Sequence, residues 1–149
     1  MKIAVDAMGG VHAPQNIVAG AVAALRENRQ VSRLFLVGDK TRVEAELQKL
    51  SFADSRLQVV HASEVITMDD APAQAVRRKR DSSMSRAIDL VKQGEADAVV
   101  SAGNTGALLT ASHLKLRTLE GVDRPGLAVI LPSPKNIFVL MDAGANLEP

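Results

Sequence analysis

Three short stretches of this 149-residue chain concentrate the residue types that hold anions or move protons. They are Asp6–Pro14 (DAMGGVHAP), Ser101–Gly106 (SAGNTG) and Asp142–Asn146 (DAGAN). Each mixes Gly or Ala with Asp, Asn, Ser or Thr. In the second, Gly103 and Gly106 let the backbone turn tightly and approach a ligand closely. Ser101 adds a hydroxyl, and Asn104 and Thr105 are residue types that cap a helix. The free N–H groups of a following helix, with its dipole, favour a phosphate. The same residues also build an ordinary N-capped turn, so anion binding and plain capping both stand at this point.

The first stretch poses a similar choice. Asp6 at a strand end is either a catalytic or ligand-orienting carboxylate or a turn residue bonding its own loop. Gly9 and Gly10 suit a close backbone approach. His12 is a candidate acid or base, because an imidazole titrates near neutral pH. The third stretch offers Asp142 and Asn146 as candidate ligands. A fourth candidate region, Arg77–Ser85 (RRKRDSSMS), sets four basic residues before hydroxyls. Arg78, Lys79 and Arg80 would attract an anionic substrate or an acidic partner, and Ser82 and Ser83 lie next to them. Asp81 or a neighbouring serine could cap the helix that follows, and a solvated helix face is the alternative for the basic run. His61 and His113 lack metal-ligand spacing and read as structural. No Ser-His-Asp order, metal signature, Walker loop or dinucleotide fingerprint occurs.

Elements that must position these residues follow from the pattern around them. Short apolar runs at Lys2–Asp6, Arg33–Gly38, Arg56–Ala62 and Ala96–Ala102 read as buried strands. Between them, Pro14–Asn28, Lys40–Leu50 and Pro72–Gly94 (in two pieces) carry helical periodicity, and Thr105–Leu119 follows the fourth strand as a helix. Gly126–Pro132 and Asn136–Ala143 read as a strand pair around Ser-Pro-Lys-Asn. Such alternation predicts an α/β fold with a mostly parallel sheet covered on both faces. Ligands in such sheets bind beyond the carboxyl ends of the strands, where all three loops would lie if the sheet is parallel there.

Composition narrows the function class. The chain is 46% hydrophobic but only 2% aromatic, so its core is aliphatic. A net charge of +1 argues against nucleic acid as the main partner. The absence of cysteine excludes disulfides, thiolate metal sites and a Cys nucleophile, and accords with a cytoplasmic protein. No apolar stretch reaches the roughly 18 residues of a membrane span. One α/β domain over residues 1–149 is expected, belonging to a longer enzyme.

Taken in order, IAVDAMGG with HAP, VGDKT, AVRRKRDSSMSRAIDLVKQGEADAVVSAGNTGALLTA, GVDRPGLAVILP and MDAGAN resemble the N-terminal half of the bacterial phosphate acyltransferases of the PlsX type. The resemblance covers almost the whole chain. It implies a three-layer α/β/α sandwich similar to phosphotransacetylases and the isocitrate/isopropylmalate dehydrogenase group. It implies transfer of a fatty acyl group from acyl carrier protein to inorganic phosphate, the acyl phosphate feeding glycerol-3-phosphate acylation in phospholipid synthesis. It further implies a homodimer with no cofactor, cytoplasmic or peripheral at the inner face of the membrane, where a glycerol-3-phosphate acyltransferase is a candidate partner.

On this reading Asp6, His12, Lys79 and Ser82 are the candidate catalytic residues. Gly9, Gly10, Arg78, Arg80, Ser83, Ser101, Gly103, Asn104, Thr105, Gly106, Asp142 and Asn146 are the candidate phosphate or substrate ligands, with no metal. Val11 departs from the family's first loop, which has Asp there. Two other readings are a non-catalytic fragment binding phosphate or acyl carrier protein, and a phosphotransacetylase-like enzyme using coenzyme A.

Overall fold

A computed structural model describes residues 1–142. The chain divides into two compact units, Met1–Leu116 and Arg117–Pro149. In the first, four parallel strands alternate with helices: β1 (Lys2–Asp6), α1 (Gln15–Glu27), β2 (Arg33–Gly38), α2 (Lys40–Lys49), β3 (Leu57–His61), α3 (Pro72–Arg78), α4 (Ser83–Lys92), β4 (Ala98–Val100) and α5 (Thr105–Leu116). The strand order is β3-β2-β1-β4, and every pairing is parallel. β1 is therefore central, and its neighbours carry the chain away in opposite directions from it.

Alternation of side chains along each strand feeds two cores. Val5, Leu34 and Leu36 face α1 and α2 and pack with Val18, Val22, Leu25, Val43 and Leu47. Ala4, Phe35 and Val37 face the other way, against Ala87 and Leu90 of α4. A third cluster joins α3, α4 and α5 through Ala75, Val76, Met84, Ile88, Ala107 and Ala111. The result is the expected α/β/α layering. Near-continuous apolar strands were the sequence sign of a sheet buried on both faces.

Side chains close the starts of α2 and α4. Asp39 accepts from the Arg42 backbone N–H at α2, and Ser82 accepts from Ser85 N at α4. Pro14 stands at the N-cap position of α1, one residue before the helix that the sequence pattern placed it in.

In the second unit β5 (Ala128–Pro132) and β6 (Ile137–Met141) form an antiparallel hairpin, as the flanking apolar runs suggested. Its turn is tied by Ser133, whose N–H and hydroxyl both donate to Asn136 O, each at 2.7 Å. The strand before the third loop does not belong to a parallel pair. β6 runs antiparallel in a separate two-stranded sheet. Asp142 follows it with φ 57°, and Asn146 lies outside the described residues.

Candidate functional site

The first and second loops meet at the carboxyl edge because β1 and β4 are adjacent and parallel. Their junction is a hydrogen-bonded relay. Gly103 N–H donates to Ser101 Oγ at 3.1 Å, and the Ser101 hydroxyl donates to Asp6 Oδ2 at 2.7 Å. Asp6 Oδ1 accepts from Met8 N at 3.2 Å. Asp6 is only 2% exposed, so both its oxygens are spent on orienting the loops.

Glycine is required at the contact. A Cβ on Gly9 would stand 2.6 Å from Asp6 Oδ2 and 2.9 Å from both Gly103 N and Ser101 Oγ. A Cβ on Gly103 would stand 3.2 Å from Gly9 Cα. Gly10 has φ +107°, a left-handed conformation that side chains disfavour, and lies against Ala102 O. Backbone thus packs on backbone: the sequence reading had these glycines approach a ligand, and what Gly9, Gly10 and Gly103 meet here is the neighbouring loop.

Beyond this junction α5 begins. Asn104 Oδ1 accepts from Ala107 N at 3.0 Å and so caps the helix. Its Nδ2 lies 3.0–3.3 Å from the carbonyls of Thr67, Met68 and Asp70. The carboxamide is 7% exposed in its residue and fully engaged, so Asn104 sets the loop rather than presenting a free amide to a ligand. The backbone N–H groups of Thr105 and Gly106, in the first turn of α5, have no carbonyl within the helix to bond. Both residues are exposed. Gly106 packs on α3, since a Cβ there would stand 2.9 Å from Pro72 Cγ.

The segment from Val65 to Asp70 forms the facing wall. Besides Asn104, Lys79 holds it, donating through Nζ to Val65 O at 2.9 Å and to the Asp70 carboxylate. That bond and one from the Thr67 N–H hold the Asp70 carboxyl below its ordinary pKa. Between this wall and the first loop opens a cleft of about 460 Å³, lined by Met8, Gly10, Val11, Arg42, Ile66 and Met68 among others. Arg42 is the cation that sequence reasoning missed. Its signal was available: it stands four residues beyond Gly38, on the first turn of the helix that follows β2, at the same edge as the loops. His12 lies exposed on the first loop.

The basic run is not gathered at this edge. Lys79 is committed to the wall, which corrects its expected catalytic part to a positioning one. Ser82 is fully buried and caps α4, and Ser83, 1% exposed, donates its N–H to Glu64 O. Neither serine is open to a substrate, so the expectation of chemistry at Ser82 and ligation at Ser83 gives way to a helix start tied to the chain after β3. Asp81 completes that tie, accepting from Ser63 N and Oγ and from Arg86. Chiefly the Ser63 hydroxyl lowers the Asp81 pKa to about 2. Arg80 lines a separate groove with Arg86, Asp89 and Gln93, and Arg78 is exposed in the last turn of α3. His61 Nδ1 accepts from Lys40 N, a structural bond at the start of α2, and His113 is exposed near the end of α5.

The comparisons can be set beside this geometry. A family model described as fatty acid synthesis protein matches residues 1–149. Similar relatives include the phosphate acyltransferase of Alkaliphilus oremlandii, 49% identical over 148 residues, covering 99% of this chain and 44% of that protein. The phosphate acyltransferase of Pelotomaculum thermopropionicum is also 49% identical over 148 residues, covering 99% of this chain and 42% of its own length. The chain therefore spans less than half the length of these relatives. Among solved structures, a phosphotransacetylase from Streptococcus pyogenes superposes over 100% of this chain and 48% of its own, with TM-score 0.67 and 23% identity. A second, from Staphylococcus aureus, gives TM-score 0.65 and 20% identity over the same shares. These two likenesses show the fold.

Proposed function

The chain belongs to the fatty acid synthesis protein family, and from that premise we propose that it is the amino-terminal part of an enzyme that transfers an acyl group to inorganic phosphate. The donor is a fatty acyl thioester of acyl carrier protein, and the acyl phosphate product serves phospholipid synthesis. A phosphate oxygen attacks the thioester carbonyl carbon. The C–S bond breaks, the thiolate leaves and takes up a proton, and the new C–O bond makes a mixed anhydride.

The observation that carries this reading is the glycine-on-glycine junction of Gly9 and Gly103, which presents the first turn of α5 at the carboxyl edge of the sheet. The N–H groups of Thr105 and Gly106, with the helix dipole, hold the phosphate there. Asp6 and Ser101 fix the loops that shape its seat, and Asn104 and Lys79 fix the opposite wall. Holding the nucleophile in a set orientation supplies much of the rate in such a transfer. His12 is the candidate proton carrier. Arg78 and Arg80 suit the acidic carrier protein as exposed cations. Asp142 and Asn146 are retained as candidate ligands on the sequence pattern.

Among the described residues no helix is long and apolar enough to cross a membrane. A homodimer, cytoplasmic or resting on the inner face of the membrane beside a glycerol-3-phosphate acyltransferase, accompanies this proposal. The test is acyl phosphate formation from palmitoyl–acyl carrier protein and from palmitoyl-coenzyme A, each with inorganic phosphate. Turnover with the carrier-protein donor is expected. Turnover with coenzyme A alone would give the phosphotransacetylase reading. Phosphate binding without turnover would leave this chain a binding fragment.

A further inference from the structure

We propose that the groove where the end of α3 meets α4 and α5 is a binding site for a dianionic phosphate monoester, held by Arg77, Arg80 and the Ser85 hydroxyl. It stands apart from the seat proposed above at the start of α5. No residue from Ser101 to Gly106 lines it. Lys115, which does, lies ten residues beyond Thr105, roughly 15 Å along the helix.

The first observation is an orphaned hydroxyl. Ser85 lines the groove although it is 0% exposed, and its Oγ has no hydrogen-bond partner among the described residues. No other buried side-chain polar atom among them is left in that condition. A buried hydroxyl without a partner costs the fold free energy, and one that persists calls for a use. The serines just before it are engaged: Ser82 caps α4, and Ser83 donates its N–H to Glu64 O.

The second observation is charge. Arg77, Arg80 and Lys115 line the groove against one carboxylate, Asp89. That carboxylate is already paired, since Lys115 Nζ donates to Asp89 Oδ2 at 2.8 Å and to Ser85 O at 3.0 Å. Arg77 and Arg80 enter no ion pair among the described residues. Arg80 Nε donates to Arg77 O at 3.4 Å, a long bond that keeps the two side by side. Two unpaired guanidinium forks match the two charges that a phosphate monoester carries above its second pKa of about 6. A carboxylate or sulfonate matches only one.

The third observation is shape. The groove encloses about 370 Å³, with Val76 and the 51% exposed Leu114 in its lining. Beside the cations it therefore offers an apolar wall, which suits the carbon body of an ester rather than a bare ion. The Ser85 hydroxyl is closed to water, and the side chains beside it that can swing to open it are the long stems of Arg77, Arg80 and Lys115. A phosphate oxygen drawn in by the two guanidinium groups then gives the hydroxyl the acceptor it lacks.

The experiment is an amide NMR titration of this chain, labelled with nitrogen-15, with butyl phosphate and with butanesulfonate, a monoanion of the same carbon body. The amides of Ser85, Asp89, Leu114 and Lys115 are expected to move together and saturate with butyl phosphate, while those of Thr105 and Gly106 report the other seat separately. At the groove, butanesulfonate binds at least about tenfold more weakly. Arg77→Gln and Arg80→Gln each weaken butyl phosphate by about tenfold or more, and Ser85→Ala by about fivefold. Ser85→Ala removes a group with no partner in the fold, so without ligand it melts no lower than the parent chain, and its weaker binding is not a folding defect. Groove amides that stay still, shifts confined to Thr105 and Gly106, or an affinity indifferent to both arginine substitutions overturn the site. Butanesulfonate binding as tightly as butyl phosphate overturns the dianion assignment. Neither result touches the acyl-transfer reading.

Discussion

The amino end of the parallel sheet and the loops that follow β1 and β4 at its carboxyl end are built from different materials. At the amino end, charged side chains consume backbone carbonyls. Arg56 donates to both Asp54 oxygens and to the carbonyls of Leu25, Asn28 and Val31, capping the far end of α1. Lys2 Nζ bonds Gly94 O beyond α4, and Lys2 N bonds Asp97. Cations at helix carboxyl ends are where the dipole favours them. At the carboxyl end, the loops after β1 and β4 carry no ion pair among the described residues, and glycine brings backbone against backbone. One end is saturated and serves stability. The other leaves the N–H groups of Thr105 and Gly106 open, the seat proposed above for phosphate.

Substitutions can break that comparison or sharpen it. The largest effect is expected from Gly9→Ala. Its Cβ meets a carboxylate oxygen and a backbone nitrogen that have nowhere to move, so stability falls by about 3 kcal/mol, at the top of the usual overpacking cost. Phosphate affinity is lost with it, measured by thermal melting and titration in parallel. Arg56→Ala comes next, through the loss of a set of charge-assisted bonds. It should lower the melting temperature and leave phosphate affinity as it was. A loss of phosphate binding in that variant would mean the two ends are not separable.

Asn104→Ala removes a helix cap and uncouples the wall, about 1 kcal/mol in stability. Its sharper signature is a fall in phosphate affinity larger than the stability loss accounts for. The smallest effect is one of pH. The Asp81 carboxyl has a folded pKa of about 2, below its ordinary 3.8. Its contribution is therefore complete above pH 4 and disappears as the pH falls through about 2. Asp81→Asn should flatten the acid limb of the melting-temperature profile in that window. Asp54, lowered chiefly by its hydrogen bond to Arg56, gives the amino end a parallel acid sensitivity that Arg56→Ala would remove.

Much of this was legible beforehand. Strand positions followed from apolar runs, whereas the glycines of the first two loops were read for approach to a ligand and the structure shows them letting one loop's backbone lie on the other's. Asn104 was read both as a cap and as a ligand, and its carboxamide makes the cap. In the Arg77–Ser85 run the serine cap was legible, but not the fate of the cations, because local sequence does not fix which way side chains leave a break between helices. Lys79 turned to the wall, Ser82 inward and Arg80 to another groove. The Val65–Asp70 wall went unnoticed for a related reason. It has no periodicity of its own and is held by Lys79 and Asn104, residues distant in sequence. Arg42 escaped because attention went to loops with glycine and passed over a helix start with a cation.

Asp6 and Ser101 are 95 residues apart and joined by one hydrogen bond, with Gly9 wedged against both. Inheritance is constrained accordingly. Neither loop can be exchanged for a foreign one alone, since the incoming segment must find its counterpart's shape already present. A chimera between relatives should keep its activity only when both loops come from the same parent, which makes the pair, rather than either stretch, the transferable unit of this protein.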